Sequence, residues 1–138
     1  MDAHARDRFD RLFEQVWADL PAVAIDRFDE VPVVLDDQPD DALLAALQCE
    51  PDDICGLHTG VPLTQRSVDD MPDIPDVIHL FRRGIVAIAG GWEAWVDHTG
   101  ASQGGDEAIR REIRITLLHE LGHHFGLDES DLDRLGYA

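Results

Sequence analysis

Lysine is absent from the 138 residues, and the 11 basic side chains, all arginine, face 29 acidic ones. A formal net charge of −18 argues against nucleic acid or an anionic membrane as a partner, since phosphate contacts need a basic footprint. Cysteine is scarce too. Cys49 and Cys55 are spaced neither as a paired metal knuckle nor as a disulfide framework, so both are expected as free thiols. No apolar run is long enough to cross a bilayer, and the polar start Met1-Asp2-Ala3-His4-Ala5-Arg6 lacks the apolar stretch of a secretory signal. The expectation is a cytoplasmic monomer. With 44% apolar residues the chain suits one domain, residues 1–138, around a modest core.

What is present is concentrated near the C-terminus, in His119-Glu120-Leu121-Gly122-His123-His124-Phe125-Gly126-Leu127-Asp128. This is H-E-x-x-H extended to H-E-x-x-H-x-x-G-x-x-D. On a helix, His119 and His123 stand one turn apart on one face, close enough to share a metal ion. Glu120 lies about 100° further round, so it can miss the ion yet reach a water beside it. A third ligand must come from another direction, which requires the helix to end. Gly126 can turn the chain at low steric cost, and Asp128 then brings a carboxylate. With this composition the bare pentad arises by chance roughly 2% of the time, and the added Gly and Asp lower that by roughly a hundredfold. A solvated surface helix is the competing reading. Against it, Ile109, Ile113, Leu117 and Leu121 form an i, i+4 stripe that buries one face and leaves the histidines on the other.

The remaining chain reads as scaffold. Phe9, Leu12, Phe13, Val16, Trp17 and Leu20 recur at helical spacing from Ala3 to about Leu20, where Pro21 stops the helix and opens a short second one. That second helix runs through Phe28, with Val23, Ala24 and Phe28 on a shared face. Strands are expected over Val31–Asp36, Ile54–His58 and Val77–Phe81, bounded by Pro, Gly and Asp. Asp40-Asp41 starts a helix over Ala42 to Gln48. Residues Gly60 to Thr64 read as an ordered loop and Ser67 to Pro75 as an exposed connection. Ile85 to Trp95 reads as a helix loosened at Gly90-Gly91, His98 to Gly105 as a flexible connector, and Asp106 as the cap of the motif helix. Glu129 to Leu135 closes the chain as a short helix. His79 is expected as a strand side chain opposite Ile78 and Leu80, and His124 as a solvent or supporting neighbour of His123.

Three stretches resemble the small bacterial zincin-like proteins, possible zinc metallopeptidases whose motif is similar to that of aspartate-ligated zincins such as snapalysin. They are His119 to Asp128, Gly60-Val61-Pro62-Leu63-Thr64-Gln65-Arg66-Ser67, and Pro75-Asp76-Val77-Ile78-His79-Leu80-Phe81-Arg82-Arg83. The resemblance implies an α+β, minimal zincin-like fold, in which a small mixed sheet of about three to four short strands packs with helices, including a long C-terminal active-site helix. It also implies Zn2+ held by His119, His123 and Asp128, with Glu120 as general base in peptide-bond hydrolysis on a peptide or protein substrate. An extended peptide would then pair with the sheet edge along Val77 to Phe81. The chain departs from the pattern at His58, where an aromatic residue is expected, and in the length of Gly90 to Gly105. Met1 and Met71 both precede the motif, so no Met-containing turn follows it, and only ten residues follow Asp128. Tyr137, the one tyrosine, is a weak candidate for stabilising an oxyanion. A non-catalytic zinc domain therefore stands as the alternative, and Fe(II) on two histidines and a carboxylate as a third, though iron leaves Glu120 without a role.

Overall fold

A computed structural model describes residues 1–60, 76–126, 128 and 130. Helix α1 spans Ala3–Asp19 and is capped by the Asp2 carboxylate, which accepts from the Ala5 amide at 2.8 Å. Its Phe9, Leu12 and Val16 are buried, spaced to form one stripe. Pro21 then opens α2, Ala22–Phe28. Phe28 is buried, and Ala24 and Ile25 pack half-buried against the same core, whereas Val23 points outward at 65% exposure. The helix is about two turns long, so a shift of one position from the expected face carries Val23 into solvent.

Three strands form a mixed sheet in the order β1-β3-β2, with β1 at Val33–Asp36, β2 at Gly56–Thr59 and β3 at Val77–Phe81. Strand β1 runs parallel to β3, pairing Val33 with Ile78 and Leu35 with Leu80. Strand β2 runs antiparallel to β3, pairing Gly56 with Leu80 and His58 with Ile78. Because strand side chains alternate, Ile78 and Leu80 point into the core, fully buried, while His79 lies on the other face stacked near Phe81. Between β1 and β2 comes α3, Asp41–Leu47, capped by Asp40 and ended by Gln48 in the left-handed region at φ 54°. The central place of β3 corrects the expectation that Val77 to Phe81 offers a free edge: both its sides are paired, one in parallel and one antiparallel.

Helix α4, Arg82–Ala89, follows β3 directly and stops at Gly90, which takes φ 106°. It does not run on to Trp95. That residue starts β4, Trp95–Val96, which pairs antiparallel with β5, Ser102–Gln103. The expected flexible connector is thus a hairpin turn, held by the Asp97 carboxylate, which accepts from the Thr99 amide at 2.8 Å, the Ala101 amide at 3.1 Å and Gln103 Nε2 at 3.1 Å. The long helix α5 spans Gly105–His124, with Gly104 at its N-cap. Asp106 sits inside the first turn rather than capping it, and Arg8 binds it at 2.7 Å. Helices α1 and α4 and strands β2 and β3 all pack on α5. Ile109, Ile113 and Leu117 are fully buried at the centre of that packing.

The expected loop beyond Gly60, the connection to Pro75, the terminal helix after Asp128 and Tyr137 lie outside the described residues. Among the described residues no helix is long and apolar enough to cross a membrane.

Candidate metal centre

The same helix that fills the core presents the motif. Leu117 and Leu121 face inward, so His119 and His123, rotated away from them, emerge at the surface half-buried. Their Nε2 atoms face each other at 3.0 Å, and the rings meet edge to face with centroids 4.7 Å apart. Glu120 is 8% exposed, and a donor atom from each of His119, Glu120 and His123 lies within 4.8 Å of the others. Two ligands each bound to zinc at roughly 2.0–2.1 Å in a tetrahedron stand roughly 3.3 Å apart, so the imidazole pair fits such an ion.

Strand β2 supplies the wall beside Glu120. Gly56 passes so close to α5 that a β-carbon there would meet Thr116 Cγ2 at 2.7 Å and Glu120 Cγ at 3.2 Å. Only a residue without a side chain lets the strand back onto the glutamate. The result is a cleft of about 310 Å³, lined by Cys55, Gly56, Glu112, Thr116, His119 and Glu120. A larger cavity of about 500 Å³ lies on the opposite sheet face, around Asp36, Leu57, His79 and Phe81, away from the motif. The cleft is electrostatically negative: burial, then the carboxylates of Glu112 and Glu120, push the Cys55 thiol up to about 11. Both cysteines are free thiols.

Past His124 the chain turns as the glycine suggested. Gly126 takes φ 81°, and its amide donates to the His123 carbonyl at 2.9 Å. Asp128 follows, exposed, two residues beyond that turn.

His124, expected in solvent or as a supporting neighbour of His123, is 1% exposed, so the solvent alternative fails. It belongs to a second donor group with His58 and Asp76. Strand alternation places His58 on the same face as Gly56, toward α5, and that register was the available signal.

A helix-borne H-E-x-x-H against a small mixed sheet defines a zincin-type metal centre. The family model described as Zincin-like metallopeptidase matches residues 28–137, and the chain belongs to that family. No curated protein sequence matches it.

Proposed function

We propose that the protein is a zinc-dependent peptide hydrolase, with His119, His123 and Asp128 holding the ion and Glu120 serving as general base. The observation that carries this reading is the approach of the two Nε2 atoms to 3.0 Å with the Glu120 carboxylate in the same group. Zinc, when bound, supplies a Lewis acid for the scissile carbonyl and brings the pKa of water toward 7. Glu120, held between α5 and β2, accepts the proton of the attacking water and delivers it to the leaving amine nitrogen. Its burial keeps bulk water from competing.

Among the described residues β2 is hydrogen-bonded to a neighbouring strand on the β3 side only, so its outer edge is where an extended substrate would add as a further strand. The partner in this reading is a peptide or protein rather than nucleic acid or membrane, in keeping with the −18 charge, and the chain acts as a monomer in the reducing cytoplasm.

The test combines metal analysis with cleavage of an unbiased peptide library. Wild-type protein is expected to hold zinc and to cleave. Glu120→Gln is expected to keep the metal and lose at least a hundredfold in turnover, the usual scale of a general base. Zinc binding at His119 and His123 without any cleavage by the wild type would favour a non-catalytic zinc domain. Turnover that survives Glu120→Gln would remove the mechanism.

A further inference from the structure

We infer that His58, Asp76 and His124 form a second divalent-metal site, buried, separate from the first and made for zinc. The three side chains come from β2, from the residue before β3 and from the last residue of α5. They are 5%, 10% and 1% exposed, so the group is enclosed by protein. His58 Nε2 stands 3.5 Å from Asp76 Oδ1, and His124 Nδ1 stands 3.8 Å from Asp76 Oδ2. The two rings lie at 72° with centroids 5.5 Å apart.

Those gaps are informative. A charge-assisted hydrogen bond from imidazole to carboxylate closes to roughly 2.7–2.9 Å, shorter than either gap. Ligands of one tetrahedral zinc, by contrast, sit roughly 3.3 Å from each other. His124 adds an independent sign. Both its ring nitrogens are buried and neither has a hydrogen-bond partner, an unfavourable state for a side chain of this polarity unless something else satisfies it. An ion between Nδ1 and Asp76 does so on one side. On the other, Nε2 faces Glu30 Oε2 at 3.5 Å, the arrangement in which a carboxylate behind a ligating imidazole fixes its tautomer and strengthens it as a donor.

Charge closes in the same way. Two neutral imidazoles, the Asp76 carboxylate and a divalent cation leave one positive charge, which Glu30 balances. Imidazole with carboxylate is a donor set that zinc accepts. The two donor groups share no residue, and His123 and His124 project about 100° apart around α5, so the sites are separate. Enclosure makes the second site a structural one: it ties the end of α5, which carries His123, to β2 and to the start of β3.

Zinc titration followed by calorimetry and by metal analysis after dialysis tests this. Wild-type protein is expected to hold about two ions per chain, and His58→Phe and Asp76→Asn, which keep side-chain volume, about one each. The His119→Ala/His123→Ala variant is expected to keep about one ion. Adding His58→Phe to it is expected to remove that ion, with circular dichroism confirming a folded chain. A folded His119→Ala/His123→Ala protein that binds no zinc would overturn the second site while leaving the first intact. Two ions retained in both His58→Phe and Asp76→Asn would overturn it as well. One ion that depends on His58 and Asp76 but not on His119 and His123 would support this site and defeat the proposed catalytic one.

Discussion

The ionisation of Cys55 offers a direct reading of the field inside the cleft. With its thiol pushed up to about 11, by burial first and by the Glu112 and Glu120 charges after it, only about one molecule in a thousand carries a thiolate at pH 8. An ordinary thiol of pKa about 8.5 is roughly a quarter ionised there, a difference of about 240-fold. The more basic thiolate is the better nucleophile, and a Brønsted coefficient of about 0.45 over about 2.5 pKa units returns a factor of roughly 13. The net expectation is that Cys55 exchanges with an aromatic disulfide reagent roughly twentyfold more slowly at pH 8 than the same thiol in the urea-unfolded chain, with burial slowing it further. The assay uses a Cys49→Ser protein so that one thiol is read, with the rate followed from pH 7 to 11. The rate should climb steadily across that range, and Glu112→Gln should accelerate it at pH 8 more than Glu120→Gln does. A plateau near pH 9, or no response to Glu112→Gln, would refute the electrostatic account of the cleft. The shift also has a sign for stability. The folded state disfavours the thiolate, so folding weakens as pH rises from about 8.5, where the unfolded thiol ionises, to about 11, where the folded one does.

Gly56→Ala places a methyl group 2.7 Å from Thr116 Cγ2 and 3.1 Å from the His79 carbonyl oxygen, so urea unfolding should show a loss of about 1–3 kcal/mol, together with a fall in any turnover that depends on Glu120. Unchanged stability would mean that β2 does not back onto α5 as described. Asp97 is held down to about 2 by the Thr99 hydroxyl, by Gln103 and by the Thr99 amide, so the hairpin's contribution is complete above about pH 4 and is lost as pH falls through 2. An acid titration followed at the Thr99 amide by NMR should show a midpoint near 2, and a midpoint near 4 would deny the turn its carboxylate.

The motif helix was legible because two independent periodicities agree on it. Ile109, Ile113 and Leu117 mark the face that the core must cover, and all three are fully buried, while His119 and His123 fall on the remaining arc. All three expected strands appear, since short apolar runs bounded by Pro, Gly and Asp leave few other choices. Their partners were not legible. Whether β3 lies at an edge or in the middle depends on contacts between residues distant in sequence, and the local pattern of Val77 to Phe81 is the same in either place. The hairpin at Trp95 to Gln103 was missed for a related reason: its strands are two residues long, too short for any alternation, and the side chain that organises the turn, Asp97, is one aspartate among 21. Histidine shows the same division most sharply. His119 and His123 announce themselves by spacing along one helix. His58 and His124 are 66 positions apart in the sequence, and only the closing of β2 onto the end of α5 brings their rings to 5.5 Å. A ligand set within one element is written in the chain, whereas one assembled from three elements exists only after folding, and the buried, unpartnered nitrogens of His124 are its first visible trace.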